Sequence, residues 1–197
     1  MPGNASTDTY PLRRGMYFVA PAGARVQGGA GLLIVSHEHH PIFLLGGPVE
    51  QRGRLPYIDG CTDSLLLAPP LKGDPCFNHL HFPPRTLQTQ HTHPSARVGA
   101  VIRGSGVCVF VSDTGRECRT ALKPGVTFVI PAHAIHAFET QEETMDVVAW
   151  HPDSDFGPAN DDHPMVNRTM VRGVSAAKLP KIRTMMTAIE PAISADN

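Results

Sequence analysis

Glycine and proline interrupt this chain so often that long helices have little room in it. There are 18 glycines and 19 prolines among 197 residues. They gather into turn signals at Pro69-Pro70, Pro83-Pro84, Gly104-Ser105-Gly106, Asp113-Thr114-Gly115 and Lys123-Pro124-Gly125. Between these breaks lie short β-branched or apolar runs, the pattern of strands joined by tight turns. Helix-period spacing is scarce. The chain therefore reads as all-β, a sandwich or barrel, and its length suits one sizeable domain rather than two.

Strands are expected over residues 16–20, 31–36, 41–45, 64–68, 76–82, 86–93, 97–103, 107–112, 116–122, 126–130, 137–141 and 145–151. Residues 46–60 read as a loop rich in glycine, proline and charge. The organisation that follows is a flexible lead over 1–15, strands packing on a barrel over 16–75, a barrel core over 76–151, and a closing region over 152–197. The closing region holds an acidic loop and a strand expected over 165–171, packed back or exchanged with a partner subunit. It also holds the one plausible helix, 176–189, where Leu179, Ile182, Met185, Met186 and Ile189 recur at three- and four-residue spacing.

Chemistry concentrates in the 86–93 strand. His91 and His93 flank Thr92 and precede Pro94. Side chains alternate on an extended strand, so the two imidazoles point the same way and are spaced to share one metal ion. His136, on a later strand, would complete a facial set of three and leave coordination positions open.

Two stretches carry a family resemblance. Residues 85–104 resemble the first cupin motif, G-x5-H-x-H-x3or4-E-x6-G, with His91, His93 and Gly104 in register. Residues 125–140 resemble the second, G-x5-P-x-G-x2-H-x3-N, with Gly125, Pro131 and His136 in register. The resemblance spans residues 76–151 and departs from the pattern at four places. Arg85 and His133 stand where the motifs have glycine, Arg97 stands at the ligand glutamate (Val98 with the longer spacing), and Thr140 stands at the asparagine.

The resemblance implies a double-stranded β-helix, a jelly-roll barrel with the metal inside, often dimeric. Without the motif carboxylate it implies a three-histidine site like those of some cupin dioxygenases. Neutral imidazoles suit iron, zinc, nickel and copper alike. One divalent ion is expected, with iron(II) favoured and zinc, manganese, nickel or copper as alternatives. The leading expectation is an enzyme, a dioxygenase-type oxidoreductase acting on a small polar or carboxylate-bearing metabolite. The rivals are a redox-neutral isomerase or lyase on zinc and a non-catalytic ligand sensor.

Around the metal, His79 and His81 share a strand face and are candidates for acid–base work. Arg97 and Arg85 are candidates to anchor an anionic substrate by two-pronged hydrogen bonds. For Arg97 the plainer reading is a salt bridge to Glu139 or Asp146. Phe138 and Trp150 are expected to wall the cavity.

Other classes find little support. The net charge is −1 and the pI about 6.8, which argues against a nucleic-acid surface or a polybasic membrane patch. No apolar run reaches the roughly 20 residues of a membrane helix. The polar first ten residues lack a signal core, so a cytoplasmic protein is expected. Cys61, Cys76, Cys108 and Cys118 have no C-x-x-C spacing. Cys108 and Cys118 flank a turn and are candidates to face each other, although free buried thiols suit a reducing compartment better. The histidines at 37, 39 and 40 read as a solvated loop able to catch adventitious metal.

Overall fold

The computed structural model describes residues 8–37, 39, 42–71, 73–152 and 169–179, and antiparallel strands dominate it. The strands of the first unit, Met1–Ser154, are β1 (Tyr17–Val19), β2 (Leu44–Gly46), β3 (Leu55–Pro56), β4 (Thr62–Leu67), β5 (Cys76–Phe82), β6 (Arg97–Gly104), β7 (Gly106–Val111), β8 (Glu117–Leu122), β9 (Thr127–Ile130), β10 (His136–Glu139) and β11 (Met145–His151). One sheet runs β3-β4-β5-β11-β6-β9 and a second runs β10-β7-β8, while β1 and β2 pair separately. Single bridges Leu87↔Glu139 and His91↔His136 lay the histidine-bearing segment along the free edge of β10. This is the jelly-roll that the family resemblance implied.

Alternation decides what faces the interior. In β5 and β11, Phe82 opposes Met145 and Leu80 opposes Val147. These residues belong to the core with Cys61, Val101, Leu122, Ile130 and Phe138. Phe82 and Met145 are fully buried, each contributing about 1.5–3 kcal/mol through loss of apolar surface to water. The residues between them, His79, His81, Asp146 and Val148, must point to the other face.

The turns follow the local chemistry. Gly115 N donates to Ser112 O at 2.8 Å, closing the β7–β8 hairpin at a glycine with φ of 76°. Gly104, the last motif glycine, has φ of 65°, and a Cβ there would collide with the Thr144 carbonyl. Only glycine fits both constraints.

Several expectations need correction. Residues 31–36 form no strand, and Leu33 and Val35 stay 63% and 70% exposed there. The 46–60 loop contains β3 and a 3-10 turn, Ile58–Gly60. The 86–93 strand is reduced to two bridges because side chains enter its ladder. Phe138 N donates to Gln88 Oε1 at 3.1 Å, and Thr89 N donates to Asp59 Oδ2 at 2.7 Å. All four cysteines are free, since Cys108 opposes Thr120 while Cys118 opposes Phe110.

In the second unit, Asp155–Asn197, β12 (Met170–Val171) and β13 (Val174–Ser175) form a hairpin followed by a 3-10 turn, Ala176–Lys178. Ser175 caps that turn by accepting from Ala177 N. The remainder of the expected 176–189 helix and of the 165–171 strand lies outside the described residues.

Candidate metal centre

The bridge between His91 and His136 brings the third histidine to the first pair. His136 N donates to His91 O and His91 N to His136 O, both at 3.0 Å. The turn after β9 is tied in as well, by His133 N donating to His93 O at 2.8 Å. Ring centroids of the three histidines then lie 4.5–5.1 Å apart. One nitrogen from each falls within 4.8 Å of the others, and this is the cluster among the described residues with ligand geometry for a metal.

Backbone carbonyls set the tautomers. His91 Nδ1 lies 2.8 Å from Thr89 O, and His136 Nδ1 lies 2.9 Å from Ala134 O. A carbonyl only accepts, so Nδ1 carries the proton in both rings and each Nε2 keeps its lone pair for a metal. Burial, with the Arg97 charge next and the other two rings after it, pushes His93 down to about 3. Burial also holds His136 below the ordinary imidazole range, and the charges of His91 and Arg97 act the same way. Neutral imidazoles are what ligation requires, so the donor set fits a divalent ion.

Arg97 occupies the motif glutamate position and opposes Ile130 in the β6–β9 ladder. Ile130 is a core residue, so this register turns Arg97 inward. Its Nη1 donates to Ser95 Oγ at 2.7 Å and to the carbonyls of Ser95 and Ala96. The salt bridges considered for it are made by other arginines. Arg119 bonds Glu139, and Arg103 Nε donates to Asp146 Oδ2 at 2.6 Å.

The other candidates sit elsewhere. His79 and His81 lie on the face of β5 opposite Leu80 and Phe82. Both meet Asp146 Oδ1, His81 through Nδ1 at 2.7 Å and His79 through Nε2 at 3.3 Å. Arg103 extends this cluster to the carbonyls of Val49 and Glu50, so it clamps the 46–54 segment onto the outer face of the large sheet. Trp150 shares that face, opposing Phe77 and Val98, and so does not line the interior. Arg85 is 77% exposed and pairs with Glu142 at 2.8 Å. Phe138 is interior, 5.1 Å from Phe82 and 5.9 Å from His136 between ring centroids, and floors the centre.

Three residues of the interior had little signal in the sequence. Tyr57 Oη lies 3.5 Å from His91 Nε2. It comes from the segment read as structureless, where only the short run Leu55-Pro56-Tyr57-Ile58 hinted at an ordered element. Asp63 opposes Leu80 and is therefore inward-facing; Asn78 Nδ2 donates to both its oxygens at 3.0 and 3.1 Å. Burial pushes the Asp63 carboxyl up despite those bonds.

A small antiparallel jelly-roll with a converging three-histidine cluster defines a metal-binding barrel. The family model described as Cupin matches residues 76–176, and the chain belongs to the cupin family. Among solved structures, a cupin-like protein from Thermotoga maritima is 20% identical, with a TM-score of 0.46 over 56% of this chain and 84% of that one. A variant of the Bacillus subtilis oxalate decarboxylase is 18% identical, with a TM-score of 0.43 over 49% of this chain. The match spans 26% of the oxalate decarboxylase chain. No curated protein matches the sequence. No helix among the described residues is long and apolar enough to cross a membrane.

Proposed function

We propose that this cupin is an iron(II)-dependent oxygenase that oxidises a small carboxylate-bearing metabolite with dioxygen. The observation that carries the reading is the charge of the site. Three neutral imidazoles converge beside an inward arginine, where the family motif has a carboxylate. A divalent ion held there keeps its full charge, so an anionic substrate is the partner that balances it.

Iron(II), when bound, would supply the redox chemistry and the open coordination positions. The residues of the chain supply the rest. His91, His93 and His136 would hold the ion, His91 and His136 through Nε2 atoms that the carbonyl contacts at Nδ1 leave free. Arg97 presents a guanidinium to a carboxylate, exchanging its contacts with Ser95 and Ala96 for a two-pronged hydrogen bond. Phe138, Phe82 and Phe128 wall the floor and keep water from reaching the centre from below.

The test is dioxygen uptake by anaerobically iron(II)-loaded protein offered a panel of small mono- and dicarboxylic acids. Uptake with one acid by the iron form, and none by the zinc form, is the expected result. Turnover without dioxygen would replace this reading with redox-neutral chemistry. Binding without chemical change would replace it with a ligand sensor.

A further inference from the structure

We propose that Tyr57 is a fourth ligand of the metal centre, bound through Oη. The inference rests on the reading that the three histidines hold a metal.

The argument starts from a conflict at one nitrogen. His91 Nδ1 holds its proton against Thr89 O, so Nε2 has a single lone pair and no hydrogen. The Tyr57 hydroxyl faces that lone pair at 3.5 Å. A metal at His91 takes the same lone pair, and Tyr57 then loses its acceptor. Adjacent ligand atoms on a metal with bonds of about 2.1 Å stand on the order of 3.0–3.5 Å apart. Tyr57 Oη is therefore already at ligand-to-ligand distance from His91 Nε2.

The surroundings hold it there. Tyr57 N donates to Cys61 O at 2.9 Å, and Cys61 N donates to Ile58 O at 3.1 Å, closing the turn that carries the ring. The ring packs against the apolar core and meets the His91 ring edge-on, with centroids 6.4 Å apart. Further up the chain, Gly53 N donates to Thr62 Oγ1 at 3.0 Å, fastening the approach to β3 onto β4.

Burial and the Asp63 charge hold the Tyr57 hydroxyl above its ordinary range, with Arg97 acting the other way, so the charge of a bound metal is what would draw off its proton. The motif carboxylate is absent, and Arg97 adds a positive charge beside the site. A phenolate supplies the one negative charge that three imidazoles cannot. Binding forms the Oη–metal bond and releases the phenol proton to solvent, so charge and atoms balance without a redox partner.

Iron(III), supplied as its citrate complex and followed by desalting, gives a direct readout. Iron(III) phenolates absorb in the visible through ligand-to-metal charge transfer, and their ring modes are enhanced in resonance Raman spectra. The wild-type protein is expected to retain iron and show both signals. Tyr57→Phe is expected to retain iron and lose both, and to bind zinc at least about tenfold more weakly in a chelator competition. Tyr17→Phe, a control whose ring packs on Phe77, is expected to keep them. Iron retained by the wild type without either signal would overturn the Tyr57 assignment and leave the three-histidine centre standing, as would signals that persist in Tyr57→Phe. A wild-type protein that retains neither iron nor zinc would overturn both.

Discussion

His81 and Asp146 are directly opposed across the β5–β11 ladder, and His81 Nδ1 lies 2.7 Å from Asp146 Oδ1. The same carboxylate takes the fully buried His79 and the guanidinium of Arg103, so one aspartate binds three basic side chains on the outer face of the large sheet. Through Arg103 it also fastens the segment that leads into β3 and Tyr57. A structural clamp on one face thus borders the element that reaches the metal centre on the other.

Removing the clamp's charge is expected to cost stability. Asp146→Asn leaves Arg103 and two imidazoles with a weaker partner in a buried setting, a loss of about 2–3 kcal/mol. Burial pushes the Asp146 carboxyl up, but hydrogen bonds from His79, Arg103 and His81 outweigh it, and the net shift is downward. A carboxyl held low contributes stability above its unfolded pKa and loses it as pH falls through the folded value. Urea titrations of wild type and Asp146→Asn are therefore expected to differ most at neutral pH and to converge in acid.

Metal content separates the two histidine clusters. His91→Ala and His136→Ala each remove one of three ligands and are expected to abolish stoichiometric metal by elemental analysis. His79→Gln and His81→Gln touch Asp146 instead and are expected to keep it. Full metal in His136→Ala would remove that residue from the ligand set.

Two motif positions test backbone strain. Arg85 and His133 have φ of 60° and 62°, the left-handed region that costs a non-glycine residue about 1–2 kcal/mol. Glycine relieves that cost but adds roughly 0.5–1 kcal/mol of chain entropy. His133→Gly is therefore expected to stabilise the fold by about 0.5–1 kcal/mol, seen as a higher Tm, with metal content unchanged because the backbone N of residue 133 still reaches His93 O.

The metal-free protein is expected to weaken in mild acid. His93 is pushed from 6.5 down to about 3 in the folded state, so between those values the unfolded chain binds the extra proton and unfolding is favoured as pH falls. Above the ordinary imidazole range the contribution is constant. Thermal melts across this window are expected to show a steeper loss of Tm for wild type than for His93→Gln, which has no ring to protonate. Equal slopes would remove His93 as a source of the acid sensitivity.

Much of this was legible in the chain because it is local. Strand periods, the Asp113-Thr114-Gly115 turn and the His91-Thr92-His93 step are set by neighbouring residues. The pairing of His136 with them was readable through motif spacing. Even the departures carried information. The left-handed conformation at Arg85 and His133 shows why the motifs use glycine there.

Alternation by itself assigns His79 and His81 to one face and Leu80 and Phe82 to the other, without saying which face is inside. That was decided when β5 took its place between β4 and β11, so that Phe82 met Met145 in the core and His81 met Asp146 outside it. The same long-range pairing gave Asp146 to Arg103 and Glu139 to Arg119, turned Arg97 inward, and brought Tyr57 to His91 from a distant loop. The sequence by itself determined most of the strands and the three candidate histidines, because backbone geometry repeats over a few residues and motif spacing links the two stretches. The tertiary structure decided their neighbours, because contacts across a closed sheet depend on which strands lie side by side.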